Sequence, residues 1–406
     1  MALLSVMNIL VIAVFPPVKA AEAEHAYQIC SHLAEAGVHV SVVTQQGSAS
    51  LDHENVTLYP IMRDWSWREM PRLAQRLKRS KPDAVLLYFI GFIYNHHPMV
   101  TFVPTLVQKL LPGVPCVTLI SHIFGSSSAD DSLPARLLHK AIRLAIGKNV
   151  NYNFGTIFRD SRRLIVLSER HKDLIAEQLP SAAEKCVLIP PPLIMTMASG
   201  NREELRQHGR NNLHIGPNDF LLAYFGYISP PKGIETLLQA LSQVSQEKPN
   251  VRLALIGDVQ QHAIRPRYAE EMYQLTKELH LEDRVMFTGS FSWDSPEASL
   301  YLYAADACVL PFDEGVHLNN SSFAAAVNHG LPVITTQGPA LEEQFQSGVN
   351  VLLCPPCDPN ALAMSITTMM NDQSLCSRLH IGSLALAQEW FSWENATQRT
   401  VMAMES

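Results

Sequence analysis

Residues 307–336 read ACVLPFDEGVHLNNSSFAAAVNHGLPVITT: an apolar run, a polar loop, an alanine-rich stretch stopped by Gly330, and a second apolar run. The pattern predicts strand, loop, helix, strand, with Gly330 as the helix stop. Outward from it the same alternation fills the chain. NILVIAVF, VHVSVVT, AVLLYFIG, PCVTLIS, RLIVLS and CVLIPP punctuate the first half, and FLLAYFGYI, VRLALIGD, RVMFTG and NVLLCP join the opening stretch in the second. These runs are nearly continuous in apolar residues, as strands buried on both faces of a parallel sheet must be; half-exposed antiparallel strands alternate instead. Two doubly wound α/β domains are expected. Pro190, Pro191 and Pro192 end the first set of runs, and the polar segment through GNREELRQHGRNN precedes the second, which puts the boundary near residue 200. Open parallel sheets bind ligands outside the carboxyl ends of their strands, so two such domains facing a central cleft would place chemistry at strand ends.

Bulk properties agree. A chain of 406 residues is too long for one compact core, and 47% hydrophobic with 17% charged residues excludes extensive disorder. The net charge of −7 is unevenly spread: residues 1–200 carry 19 Lys+Arg against 15 Asp+Glu, leaving 12 against 23 for the rest. The acidic second half argues against a grip on nucleic acid, and no nucleic-acid motif is present. Seven cysteines sit mostly singly within apolar runs, as in reduced cytosolic protein; Cys354 and Cys357 form CPPC, but no second ligand pair at zinc-site spacing follows. The amino terminus, MALLSVMNILVIAVFPPVKAAEA, has a signal-like apolar core without a basic region before it. It reads instead as a buried strand, a Pro16-Pro17 turn and a helix, AEHAYQICSHLAEAG, with residues 1–6 a dispensable extension if translation begins at Met7. No apolar run reaches the ~20 residues needed to span a bilayer.

Candidate site residues cluster after second-half strands. Asn320 or Ser321 is expected to cap the helix SFAAAVNH, and the remaining first-turn amides around Ser322 would hold an anion such as phosphate. In FLLAYFGYISPPKGIETLLQAL, Lys232 lies on a strand-to-helix loop where its ammonium suits a diphosphate, with Gly226 and Gly233 permitting close backbone approach. Gly257 and Asp258 of IGDV and Gly289 of FTGSFSW end two further strands and complete a nucleotide pocket.

The ordered set FGYISPPKG, IGD, RVMFTG, AADACVLPFDEG, HGLPVITT, GVNVLLCPPCDPNALA and FSWENATQRTV resembles retaining GT-B glycosyltransferases of family four over residues 220–400. The first half follows the same plan from NILVIAVFPP through PCVTLISH. The resemblance implies an acceptor-binding domain at 1–200, a nucleotide-sugar-binding domain at 201–385, and a terminal helix in 386–406 crossing back to the first domain. It implies transfer of a sugar from a nucleotide-diphosphate donor, with retention and without a metal or other cofactor, to a saccharide, lipid-linked or small-molecule acceptor. Lys232 matches the family lysine. Glu314 resembles the donor-sugar glutamate, with Asp313 as a substitute and Gly315 beside it, and His122 matches the histidine near the reaction centre. Departures are equally plain: Tyr227 replaces an arginine, Ala325 a ribose-binding glutamate, Asn319 and Asn320 an arginine pair, and Val18-Lys19-Ala20-Ala21 a Gly-Gly turn. Arg265 and Arg267 are candidates to make up the missing charge, and Lys19 to meet the acceptor. Two basic helices in DWSWREMPRLAQRLKRSKPD and PARLLHKAIRLAIGK read as solvated helix faces with core-packed tryptophans; the alternative is peripheral contact of a cytoplasmic protein with the inner face of a membrane. The rivals are a catalytically impaired GT-B scaffold, favoured by Tyr227 and Ala325, and an epimerase on the same plan.

Overall fold

The computed structural model describes residues 7–123, 147–258, 267–292 and 294–406. Residues 1–6, Val259 of IGDV, Arg265, Trp293 and most of the helix expected in PARLLHKAIRLAIGK lie outside the described residues. The chain divides into two compact units, Met1–Pro190 with Trp393–Ser406, and Pro191–Ser392.

The first unit is built on seven strands: β1 (Asn8–Ile12), β2 (His39–Gln45), β3 (Val56–Met62), β4 (Ala84–Phe89), β5 (Cys116–Ile120), β6 (Arg163–Val166) and β7 (Cys186–Leu188). Their order is β3-β2-β1-β4-β5-β6-β7, with every pairing parallel. β1 shows why its sequence is apolar throughout. Leu10 and Ile12 join a core with Leu73, Leu77, Val103 and Val107. Ile9 and Val11 point the other way, into a core with Ile29, Leu33, Val401 and Met404. Helix Ala21–Glu35 follows β1 and ends before Gly37, whose φ of 90° turns the chain into β2. Helix Trp393–Glu405 completes the second of these layers: Trp393 stacks on His32 with centroids 4.8 Å apart, and Ala396 and Val401 enter the core.

The second unit has six strands: β8 (Phe220–Phe225), β9 (Val251–Ile256), β10 (Val285–Phe287), β11 (Ala307–Leu310), β12 (Val333–Thr336) and β13 (Leu352–Cys354). All pair in parallel, in the order β10-β9-β8-β11-β12-β13. From β8 the chain runs outward to β9 and β10, then returns to the other side of β8 at β11. The connections therefore diverge between β8 and β11, the point at which a doubly wound sheet opens a crevice. Helix Arg202–Asn212 is fastened by buried Arg210, which donates to Gly216 O at 2.6 Å and Asp219 O at 2.7 Å. Asp306, at the foot of β11, accepts from Arg206 at 2.6 Å and from the Leu221 amide at 2.7 Å.

Candidate functional site

The two segments singled out in the second half, 226–233 and 311–322, leave the carboxyl ends of the neighbouring strands β8 and β11. Backbone contacts lock them together. The Asp313 amide donates to Pro231 O at 3.1 Å, and a Cβ on Gly233 would lie 1.9 Å from Pro311 O. Gly233 has φ of 69°, so both its conformation and its clearance demand glycine. A Cβ on Gly226 would meet Ser322 Oγ at 2.5 Å, and one on Gly257 would meet Gly226 O at 2.1 Å. These glycines let β8, β9 and the helix Ser321–Asn328 close to van der Waals limits at the switch point. Ile228 N donates to Asp258 O at 2.9 Å, tying the β8 and β9 loops, while Asp258 itself is exposed. Gly289 bridges to Gly257 across the ends of β9 and β10, with open space where its Cβ would stand.

Lys232 occupies the last position of a single 3-10 turn, Pro230–Lys232, between β8 and helix Ile234–Glu247. Its Nζ lies 4.8 Å from the ring centroid of buried Phe312. The side chain is half-buried and has no anionic partner among the described residues; burial alone pulls its pKa below the ordinary lysine value. An unpaired cation over an aromatic face is costly to desolvate unless an anion joins it.

Asn320 takes the N-cap position of Ser321–Asn328, but its side chain does not cap: Oδ1 accepts from His317 N at 2.7 Å instead. The expectation of an Asn320 or Ser321 side-chain cap is thus corrected, because the loop's own amide competes for the carbonyl. The first helical bond is Ala324 N to Asn320 O at 3.0 Å, leaving the amides of Ser321, Ser322 and Phe323 without a protein acceptor among the described residues. Ser321 is exposed and Ser322 buried.

Carboxylates gather on the other flank of the same loops. Asp313 is half-buried, accepts from Cys357 Sγ at 3.6 Å, and has its pKa raised first by burial and then by Glu235 and Glu314. Tyr268, buried at the start of helix Tyr268–Glu278, donates its hydroxyl to Glu235. Glu314 is exposed, and Gly315 carries φ of 89°, where a Cβ would lie 2.1 Å from the Gly338 amide nitrogen. Glu342 is a residue that sequence reasoning passed over. It is buried, and its carboxylate accepts from the buried Leu318 amide at 2.5 Å, so that the loop after β12 supports the one before helix Ser321–Asn328. Its place after the end of an apolar strand, in GPALEE, was the available signal. Ala325 is fully buried in the helix and offers the site nothing polar. Tyr227 is 61% exposed just past β8, and its carbonyl accepts from Tyr224 Oη at 2.7 Å. Arg267 takes the N-cap position of helix Tyr268–Glu278. Among the described residues no three His, Cys, Asp or Glu side chains converge as a metal site.

In the first unit, His122 is exposed directly after β5, next to Ser121, whose hydroxyl donates to Glu22 at 3.2 Å. Lys19 is exposed on the loop between β1 and helix Ala21–Glu35. The tryptophan pair divides: Trp65 is 3% exposed and Trp67 is 48% exposed, so only the first is a core residue. Two of the basic side chains are internally committed. Arg72 donates to Ile61 O at 3.1 Å and pairs with Glu69, while Arg76 lies 3.4 Å over the Tyr59 ring and donates to Ser80 at 2.8 Å. No helix among the described residues is long and apolar enough to cross a membrane.

Residues 23–194 match the family model described as Glycosyltransferase Family 4, and residues 219–372 match that of Glycosyl transferases group 1. A lipopolysaccharide 1,2-N-acetylglucosaminetransferase of Salmonella typhimurium is 27% identical over 246 residues, 58% of this chain and 60% of that protein. A D-inositol 3-phosphate glycosyltransferase of Segniliparus rotundus is 24% identical over 282 residues, 65% of this chain and 59% of that one. The chain thus spans about three fifths of the length of these curated relatives. Among solved structures, HepE from Anabaena in complex with UDP and glucose superposes with a TM-score of 0.66 at 18% identity, covering 98% of this chain and 99% of that one. A glycosyltransferase from Rickettsia africae gives 0.74 at 14% identity, covering 99% and 98%. These structural likenesses show a shared two-sheet α/β fold.

Proposed function

We propose that this chain, whose residues 23–194 and 219–372 are similar to the Glycosyltransferase Family 4 and Glycosyl transferases group 1 models, is a retaining glycosyltransferase of the GT-B fold that uses a nucleotide-diphosphate sugar. The single observation that carries this reading is Lys232: a half-buried ammonium with no protein counter-ion among the described residues, at the β8/β11 switch point. A diphosphate placed there would meet that cation and the open amides of Ser321, Ser322 and Phe323, where the positive end of the helix dipole adds to the attraction. The HepE neighbour, which binds UDP, and the transferase relatives support the donor class.

In this reading departure of the nucleoside diphosphate develops negative charge on its terminal phosphate, and Lys232 with the amides stabilises it in place; such preorganised donors act on charge present mainly in the transition state. Glu314 and Asp313 stand on the loop after β11 as acceptors for donor-sugar hydroxyls, and Tyr227 stands exposed on the β8 loop, five residues before Lys232. His122 and Lys19, at strand ends of the first unit, are assigned to the sugar and the acceptor. The acceptor hydroxyl proton passes to the departing phosphate as the new bond forms on the same face.

The test is hydrolysis or transfer of UDP-, GDP- and ADP-sugars by purified wild type and Lys232→Ala. Turnover and nucleotide binding by the wild type, both lost in the variant, are expected. Equal background rates with no nucleotide binding by either protein would make the chain a scaffold and overturn the reading. Product stereochemistry by proton NMR checks retention.

A further inference from the structure

A second polar and aromatic cluster lies wholly within the first unit, where the loop after β3 meets the loop after β4. The two loops pack through Trp65, whose ring stands edge-on to Tyr94 with centroids 4.9 Å apart. Among the described residues, three of the eight non-glycine residues with left-handed backbone, Trp65 (φ 56°), Asn95 (φ 52°) and His96 (φ 53°), fall in these loops. For a bulky aromatic residue that conformation is strained, and such strain concentrates at functional sites. The buried indole N–H of Trp65 has no acceptor among the described residues, a second irregularity in the same place.

What these loops display is specific. Trp67 is 48% exposed and rests edge-to-face on His97 at 5.9 Å and tilted on Phe102 at 5.4 Å, which fixes its ring while leaving nearly half its surface to solvent. His97 Nδ1 accepts from Met99 N at 3.2 Å, so Nε2 is the donor. Asp64 is exposed, and its carboxylate is held below the ordinary pKa by hydrogen bonding from Ser66 foremost, with the Arg68 charge adding to it. Phe92, also 48% exposed, belongs to the β4 loop.

We propose that this cluster is a saccharide-binding platform: a neutral sugar ring lies on Trp67, its hydroxyls donating to Asp64 and accepting from His97 Nε2. A pyranose has an apolar C–H face and a hydroxyl rim, which matches an indole flanked by one carboxylate and one donor. An anionic bilayer fits less well, because Asp64, exposed beside Trp67, would be pressed against like charge. The inference deepens the proposed function by naming a saccharide as the acceptor class, and it rests on that reading for its biological meaning; binding to the platform does not.

The experiment uses the full chain and follows intrinsic tryptophan fluorescence with glucose, galactose, mannose and N-acetylglucosamine titrated to high millimolar concentration. At least one sugar should give a saturable change, abolished in Trp67→Ala and weakened about tenfold or more in Asp64→Asn, the loss of one charge-assisted hydrogen bond. Both variants should melt with the wild type. Nucleoside-diphosphate thermal shifts, which report the second unit, should be unchanged in both, so failure of the donor reading is seen separately. No saturable response in the wild type, or the same response in Trp67→Ala, overturns the platform. So does loss of binding to phosphatidylglycerol vesicles in Trp67→Ala without any sugar response, which would make Trp67 a membrane anchor.

Discussion

Lys232→Met separates binding from stability, because the two should move in opposite directions. Methionine keeps the aliphatic contact with Phe312 and removes the ammonium. In the ligand-free protein that ammonium is half-buried, its pKa is lowered by burial, and no carboxylate among the described residues faces it. Its loss relieves a desolvation cost, so the melting temperature should hold or rise. With a nucleoside diphosphate present the sign reverses. A hydrogen bond to a charged group contributes about 1.5–3 kcal/mol, which converts to roughly 10- to 150-fold in Kd. Calorimetric titration with UDP, GDP and ADP, beside thermal melts without ligand, reads both effects. Wild-type affinity in the variant, or a ligand-free protein that melts markedly earlier, would refute the assignment of Lys232 as an anion-awaiting cation. The charge has a pH signature too. Affinity for the diphosphate should fall as pH rises through the depressed Lys232 value, earlier than an ordinary lysine near ~10.4 would dictate.

Gly233→Ala should lose both stability and nucleotide affinity, by at least ~1–3 kcal/mol in urea melts, because its Cβ would strike Pro311 O at 1.9 Å in a left-handed conformation. Glu342→Ala strands the buried Leu318 amide and should cost about 1–3 kcal/mol, read by the urea midpoint, while raising the nucleotide Kd through the loosened helix start. Acid should destabilise both units. His25 and His329 are buried neutral with pKa values lowered to about 4, below the unfolded ~6.5, so between those limits the unfolded chain binds more protons and stability falls as pH drops, by up to about 1.4 kcal/mol per pH unit for each. His329→Gln, which keeps a side chain for Ser299, should flatten that slope; an unchanged slope counts against the argument.

The placement of the candidate site's segments at strand ends and a helix start was legible because those features are local. Lys232 and Gly233 follow a strand and a Pro-Pro turn, and Asn320 to Ser322 stand between an apolar run and an alanine-rich helix; strand ends and helix starts are written in neighbouring residues. The cap was misread because Asn320 Oδ1 has a rival donor, the His317 amide, that sequence cannot rank. Glu342 escaped notice because its partner, Leu318, is brought to it across the sheet's end rather than by sequence proximity. Trp65 and Trp67 look alike on the page, two residues apart, yet one is buried and one exposed according to how two loops happen to meet.

By itself the sequence determined the alternation of buried strands and amphipathic helices, and hence two parallel sheets, because runs of apolar residues must be covered on both faces. Tertiary structure alone decided which loops become neighbours. The strand order that sets β8 beside β11 is fixed by long-range pairing, and it is this adjacency that leaves one ammonium and one open helix end at the same edge without a protein partner among the described residues.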